Sequence, residues 1–178
     1  MAEKHGPGME RVVVIGNSGG GKSTLARRVA ERYSLPYHEI DAILWEPGWR
    51  LADEATYRAE HARIITEERW VLDGLGTRDS IPERLARATD IILIDMPVWM
   101  HYRLAAERHI AWITGHREHV PAGMTEPPPL DGLFKNIWDV DRSWMPEIRS
   151  LIEAEELRQK RIFRLTSVDD LGRFIHHG

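Results

Sequence analysis

The sequence predicts a three-layer α/β/α protein, in which a five-stranded parallel sheet lies between two layers of helices. Short apolar segments alternate along the chain with amphipathic segments of helical period, and this alternation is typical of parallel sheets. The length of 178 residues suits one domain with a small insertion. We expect a flexible N-terminus over 1–10 and a single domain over 11–178.

The first strand and the first helix have the clearest patterns. Residues 11–15 (RVVVI) are mostly β-branched, which is typical of a strand covered on both faces. A helix is predicted over 22–33, because Leu25, Val29 and Tyr33 recur every four residues. The chain therefore begins with a strand, a short connection and a helix.

The later elements continue the alternation and depend on local signals. Asp53 is a candidate N-cap, Ser80 with Glu83 forms a candidate capping box, and Pro146 should kink or break its helix. In chain order, the remaining predicted elements are strand 36–41, helix 54–68, strand 69–74, a helix from Ser80 to about Ala88, strand 90–97, helix 98–112, a helical segment over 131–158, strand 161–165 and a terminal helix opened by Ser167 and Asp170.

Residues 113–130 are predicted to form a lid. This stretch, ITGHREHVPAGMTEPPPL, contains two glycines and four prolines. Proline lacks the backbone N–H that regular structure needs, so the stretch favours an irregular insertion between two helices.

The segment GNSGGGKS at 16–23 has the spacing Gly-x₄-Gly-Lys-Ser and lies between the first strand and helix. This is the phosphate-binding P-loop pattern, in which glycines let backbone N–H groups approach a polyphosphate. Lys22 should reach the β- and γ-phosphates, and the Ser23 hydroxyl should bind Mg²⁺. The predicted ligands are ATP and Mg²⁺, and the predicted phosphate-binding residues are Gly16, Asn17, Ser18, Gly19, Gly20, Gly21, Lys22, Ser23 and Thr24.

Three acidic residues, Asp41, Asp73 and Asp95, are predicted at the carboxyl ends of strands, where parallel sheets bind ligands. One of them should organise Mg²⁺ through water, another should orient or deprotonate an acceptor hydroxyl, and the third could simply cap a turn. Trp45 and Trp49 follow Asp41 and are candidates either for the wall of an acceptor pocket or for core packing.

Composition excludes several classes of function. The formal net charge is −4, and this acidic balance counts against direct nucleic-acid binding. The chain has no cysteine, so thiolate and disulfide chemistry are excluded. No apolar stretch is long enough for a membrane helix, and the N-terminus lacks the apolar core of a secretory signal. We expect a cytoplasmic protein, monomeric or homodimeric.

Four segments together resemble a known family. They are VVVIGNSGGGKSTLARRVAERY, EIDAILWEPGW, RWVLDGLGTR and DIILIDMP. They are similar to the P-loop small-molecule kinases related to adenylate and shikimate kinases, and most similar to the bacterial branch called topology modulation protein or adenylate-kinase-like. The resemblance covers roughly residues 11–165 and implies a P-loop NTPase fold with strand order 2-3-1-4-5 and a lid insertion.

The resemblance also implies individual roles. It favours Asp73, with Ser23, for Mg²⁺ and Asp41 for a position beside the metal and the acceptor. Arg78 would bind the substrate together with Asp41 and Trp45. Arginines that face the nucleotide or close with the lid are the last group implied, namely Arg103, Arg108 and the catalytic candidate Arg117.

Three functions stay open at this point. The first hypothesis is a kinase that transfers phosphate from ATP to a nucleoside, a nucleotide or a hydroxylated metabolite. The alternative is a regulatory ATPase that acts with DNA or a protein partner, and the weaker alternative is a nucleotide-binding protein without transfer activity. The guanine-reading pattern Asn-Lys-x-Asp is absent from the sequence, which favours ATP over GTP.

Overall fold

The computed structural model describes residues 8–116 and 126–177. The described strands are β1 (Arg11–Gly16), β2 (Tyr37–Glu39), β3 (Trp45–Glu46), β4 (Arg50–Leu51), β5 (Trp70–Asp73), β6 (Asp90–Ile94) and β7 (Arg161–Leu165). The described α-helices are α1 (Lys22–Tyr33), α2 (Ile40–Leu44), α3 (Glu54–Thr66), α4 (Ile81–Arg87), α5 (Val98–Ile113), α6 (Leu130–Asp139), α7 (Met145–Leu157) and α8 (Val168–His177).

Five of the strands form one parallel sheet in the order β2-β5-β1-β6-β7. Counted without the small hairpin of β3 and β4, this is the predicted order 2-3-1-4-5, so the fold prediction is confirmed. Because every strand of the sheet runs in the same direction, all five carboxyl ends meet at one edge. That edge carries the P-loop.

The two faces of the sheet pack against different helices, as the three-layer prediction requires. Alternate residues of β1 divide between the faces: Val13 and Ile15 join one buried cluster, and Val12 and Val14 join the other. The first cluster includes residues of α3, α4 and α7, and the second includes residues of α1 and α8. The central strands are therefore covered on both sides and hold the edge rigidly.

Strand 36–41 is predicted to extend two residues too far at its carboxyl end. The strand β2 ends at Glu39, whose pairing partner Asp73 is the last residue of β5. The chain then turns into the short helix α2, which contains Asp41. Asp41 therefore projects from a helix beyond the sheet edge and not from the end of a strand. Strand 90–97 likewise ends early, at Ile94.

The predicted capping box at Ser80 is wrong. Ser80 has helical backbone angles and makes no side-chain cap bond, because it ends a 3₁₀ turn, Arg78–Ser80, that leads directly into α4. Its hydroxyl donates to the Thr77 carbonyl at 2.8 Å and lies 2.9 Å from the Tyr57 hydroxyl. The other cap is confirmed: the Asp53 carboxylate accepts from the Thr56 N–H at 3.0 Å.

The long helical segment breaks just before Pro146. A π turn, Val140–Trp144, separates α6 from α7. Pro146 falls in the first turn of α7, where its missing N–H leaves no intrahelical bond unmade. Within the described ranges, no helix is long and apolar enough to cross a membrane.

Candidate active site

The P-loop joins β1 to α1 at the carboxyl edge of the sheet. A side chain at Gly16 would place its Cβ 2.4 Å from the Ile94 carbonyl oxygen of the neighbouring strand, so only glycine fits there. Gly21 is the N-cap of α1, has φ of 80°, and provides no side-chain cap. The first N–H groups of α1 are therefore open to an anion, which the positive end of the helix dipole also attracts.

Hydrogen bonds fix the loop to the helices around it. Asn17 donates Nδ2–H to the Ile137 carbonyl at 2.8 Å, and its Oδ1 accepts from the Ser18 N–H at 2.7 Å. His101, which is buried, lies with Nδ1 3.0 Å from the Ser18 carbonyl oxygen. Burial lowers the pKa of His101, so the neutral ring donates through Nδ1–H. These bonds hold the loop in shape without a ligand.

Lys22 lies inside this loop. Its ammonium donates to the Asn17 carbonyl at 2.8 Å. Burial lowers the pKa of Lys22, while the carboxylates of Asp41 and Asp73 act in the opposite direction. The cation thus lies between the phosphate-binding amides and two acids, which is the position that a polyphosphate ligand requires.

Asp73 is the best candidate for a metal ligand. Its side chain is 1 % exposed, and neither carboxylate oxygen accepts a hydrogen bond of good geometry from the described residues, although the Ser23 and Tyr37 hydroxyls are close neighbours. Burial raises the pKa of Asp73 to about 6, and the neighbouring Ser23 hydroxyl and Lys22 ammonium only partly oppose this. A buried carboxylate beside a hydroxyl suits Mg²⁺, which needs one or two protein oxygens in addition to phosphates and water.

No group of three or more acidic or histidine side chains that could by itself hold a metal occurs in the part of the chain that is described. The loop after Asp73 is held by Arg84, which is fully buried and donates to the carbonyls of Gly74 at 2.9 Å and Leu75 at 2.5 Å.

The P-loop opens into a cleft of about 1040 Å³. The cleft is also lined by Glu39, Asp41, Trp45, Trp49 and Arg78. The two tryptophans come from the hairpin of β3 and β4 and meet edge to face, with ring centroids 6.1 Å apart. Trp49 also donates Nε1–H to the Glu126 carbonyl at 3.1 Å. The hairpin therefore forms part of the cleft wall.

Arg78 and Arg108 both line this cleft, but their partners and surroundings differ. Arg78 pairs with the Glu147 carboxylate at 2.5 Å and donates to the Ser143 carbonyl at 3.0 Å. Arg108 is exposed to solvent within the cleft. Desolvation lowers the pKa of Arg108, while the carboxylates of Asp41 and Glu39 act in the opposite direction. Of these two arginines, only Arg78 forms an ion pair within the described residues.

Other predicted residues lie elsewhere. Arg103 pairs with Glu107 on the exposed side of α5 and does not line the cleft. Both carboxylate oxygens of Asp95 accept from Arg149 at 2.7–3.1 Å, so Asp95 is an ion-pair partner away from the cleft lining. Arg117 and residues 117–125 of the predicted lid lie outside the described residues.

The sequence did not single out Glu39, His101 or Arg84. Glu39 had a usable signal, because it is an acidic residue within the predicted strand 36–41, two positions before Asp41. Burial, followed by the nearby charges of Asp73 and Asp41, raises the pKa of Glu39 to about 7, and Arg27 opposes this with an ion pair at 3.3 Å. His101 and Arg84 act through packing that local sequence does not reveal.

The shifted carboxyl of Glu39 predicts a pH effect on stability. Between pH 4.5 and 7 the folded state binds the Glu39 proton more tightly than the unfolded state does, so this group weakens the fold as the pH rises. We expect the free energy of unfolding of the wild type, minus that of E39Q, to fall by up to about 3 kcal/mol over this range. Urea unfolding at several pH values measures it.

The control for this series is E153Q, because Glu153 is an exposed acid on α7. We expect the wild type and E153Q to differ by the same amount at every pH. A constant difference between the wild type and E39Q as well would mean that Glu39 titrates normally in the folded protein.

Comparisons with known proteins identify the fold and leave the family undetermined. No family model matches the chain, and no curated protein matches its sequence. Among solved structures, the chain is similar to shikimate kinase from Acinetobacter baumannii in complex with shikimate, with a TM-score of 0.57 and 13 % identity over 94 % of this chain and 89 % of that one. It is also similar to shikimate kinase from Bacteroides thetaiotaomicron, with a TM-score of 0.52 and 15 % identity over 94 % and 95 %.

A gluconokinase from Sinorhizobium meliloti 1021 aligns with a TM-score of 0.46 and 16 % identity, over 86 % of this chain and 99 % of that one. At identities this low, the shikimate kinase matches establish a shared fold: a five-stranded parallel sheet with surrounding helices and a P-loop at its carboxyl edge.

Proposed function

We propose that this protein transfers the terminal phosphoryl group of ATP to a hydroxyl group of a small molecule. The observation that carries the proposal is one cleft whose lining combines two kinds of groups. It contains a P-loop with open helix N–H groups and Lys22, and it also contains carboxylates and tryptophans. A protein that only binds a nucleotide does not need the second set of groups.

Different residues of the cleft would bind the ATP phosphates and orient the acceptor. The P-loop amides and Lys22 would hold the phosphates, and Arg108 would neutralise charge on the γ-phosphoryl group. Asp41 would orient the acceptor hydroxyl, whose oxygen forms the new bond to phosphorus while the bond to the ADP oxygen breaks. The hydroxyl proton would pass to Asp41.

Ser23 and Asp73 would hold Mg²⁺, because Asp73 has two buried carboxylate oxygens without a well-aligned hydrogen bond beside that hydroxyl. When bound, the ion would neutralise phosphate charge and order the triphosphate. Arg117, Arg103 and Arg78 remain predictions for phosphate or substrate contacts, as does closure of 113–130 to exclude water.

Membership of the topology modulation protein branch is part of this proposal and rests on the four sequence segments quoted above. We also propose that the protein is cytoplasmic and acts as a monomer or homodimer. The acidic net charge of −4 supports a small-molecule acceptor over direct contact with nucleic acid.

An ADP-release screen tests the proposal. Purified protein with ATP and Mg²⁺ is offered nucleosides, nucleotides and small hydroxy compounds, and separately DNA. We expect one class of small acceptor to raise ADP release and to yield a phosphorylated product by mass spectrometry. ADP release raised only by DNA or by a protein would replace the proposal with a regulatory ATPase.

A further inference from the structure

A tyrosine with a buried hydroxyl lies behind the candidate metal site, and the chemistry described so far does not use it. Resting on the proposed kinase function, we propose that Tyr37 is a positioning residue for Mg²⁺: its hydroxyl donates to the Asp73 carboxylate and holds it in the orientation that the metal requires. Tyr37 does not line the cleft, so it acts through Asp73 and not by contact with the nucleotide or the acceptor.

The register of the sheet places Tyr37 and Asp73 on one face. Tyr37 pairs with Val71 of the neighbouring strand β5, and Val71 belongs to the buried cluster on the α1 side of the sheet. The Tyr37 ring packs against the same cluster. Asp73 follows Val71 by two residues, so its side chain lies on that side as well. The phenol therefore reaches the carboxylate by extending forward over two strand residues, a rise of about 6.6 Å.

The Tyr37 hydroxyl ends among the polar groups of the metal site. Its oxygen is buried and forms no hydrogen bond of good geometry with the described residues, and the same is true of both Asp73 carboxylate oxygens. The close polar neighbours of the hydroxyl are Asp73 and the Ser23 hydroxyl. Buried polar atoms normally have partners. A phenol donates and a carboxylate accepts, so a small rotation of the carboxylate satisfies both groups at once.

Helix α1 limits the movement of the ring. Ser23 and Arg27 are four residues apart on α1 and therefore lie on the same face of the helix. The guanidinium carbon of Arg27 lies 5.3 Å from the centroid of the Tyr37 ring, and the same guanidinium pairs with Glu39 at 3.3 Å. The ring thus contacts a cation as well as the apolar cluster. Packing alone does not require the hydroxyl, because phenylalanine would fill the same space.

A fixed donor prepares the Asp73 carboxylate for the metal. Mg²⁺ requires near-octahedral geometry and gives up its water reluctantly, so the direction in which a carboxylate oxygen points matters. Hydrogen bonds to a ligand from the groups behind it set that direction, and their loss typically lowers metal affinity or activity by about 10–100-fold. With one Asp73 oxygen bonded to Tyr37, the other oxygen is left for the metal.

Calorimetry on Y37F tests the proposal without relying on turnover. The measured quantity is the ratio of the ATP dissociation constant in EDTA to that in excess Mg²⁺, which reports the coupling between metal and nucleotide. We expect Y37F to lower this ratio about three- to tenfold. The ATP dissociation constant in EDTA should stay within about twofold of the wild type, because the P-loop and Lys22 are unchanged. A general loss of structure would weaken ATP binding in both conditions.

The matched control is Y33F. Tyr33 is the last residue of α1, packs against the same buried cluster as Tyr37 and does not line the cleft. Removal of its hydroxyl should leave both ATP dissociation constants within about twofold of the wild type. Equal effects of Y33F and Y37F would give Tyr37 a packing role only and would overturn the inference.

The double variant Y37F/D73N shows whether the hydroxyl acts through Asp73. D73N removes the carboxylate, so the ratio should be low in D73N and should fall no further in the double variant, since the two residues act as one unit. A further fall of about threefold or more would mean that Tyr37 acts by another route, which would also overturn the inference.

The failure of the proposed function has a different signature. If the wild type binds ATP with Mg²⁺ but phosphorylates no acceptor, the kinase proposal fails, and the calorimetric ratio still decides the role of Tyr37. If an acceptor is phosphorylated and Y37F keeps the wild-type ratio, only the inference about Tyr37 fails. If Mg²⁺ leaves the ATP affinity of the wild type unchanged, the metal assignment and the inference about Tyr37 fail together.

Discussion

Replacing Lys22 by methionine is expected to lower kcat/KM for ATP turnover by on the order of 10²–10³-fold, because one positioned cation on the γ-phosphoryl group is lost. The side chain is similar in length, so the P-loop should keep its shape through Asn17 and His101. Steady-state ADP release, with thermal melting to confirm folding, measures the effect.

The matched control for this variant is K135M. Lys135 is an exposed lysine of α6 that pairs with Asp139 and does not line the cleft. Its replacement should leave turnover within about twofold of the wild type, since isolated surface ion pairs contribute little. Wild-type turnover by K22M would refute the location of the phosphate site and, with it, the proposed function.

The second large effect is expected for Asp73→Asn, which should lower activity without lowering stability. The neutral amide cannot hold Mg²⁺ in the same way, so we expect Mg²⁺-dependent turnover to fall by on the order of 10²-fold. Because burial raises the pKa of Asp73 to about 6, its charged form weakens the fold above that pH. D73N should therefore be at least as stable as the wild type at pH 8, as judged by urea unfolding.

The substitution Asp95→Asn distinguishes between Asp73 and Asp95, which follow the strands on either side of β1. Both carboxylate oxygens of Asp95 accept hydrogen bonds from Arg149. D95N should therefore keep its Mg²⁺-dependent turnover and lose about 1 kcal/mol of stability. If D95N lost turnover while D73N retained it, the metal assignment would move from Asp73 to Asp95.

The P-loop shows how much of the site local sequence can predict. Its glycines, lysine and serine are contiguous, so their roles follow from the conformation of eight residues between one strand and one helix. Helix α1 begins and ends where the four-residue periodicity predicted. The strand order followed once the P-loop fold was recognised, since its parallel crossovers allow few arrangements.

Arginine roles could not be predicted in this way. Arg78 was expected to meet the substrate, and the structure pairs it with Glu147, 69 residues away along the chain. Asp95 was a candidate for the metal, and Arg149 accounts for both of its oxygens. The sequence does not indicate which carboxylate an arginine will pair with, because the pairing depends on which helices pack side by side.

The sequence by itself determined the phosphate loop, the alternation of strands and helices, and hence the edge of the sheet at which chemistry can occur. These features depend on backbone periodicity and contiguous residues, which a linear pattern contains. Only the tertiary structure decided that Glu39 and Asp41 lie near Asp73, that a tryptophan hairpin forms part of the cleft wall, and that Glu147 pairs with Arg78. The physical reason is that the pKa of a carboxyl, or the freedom of a cation, is set by burial and by neighbours that are distant along the chain.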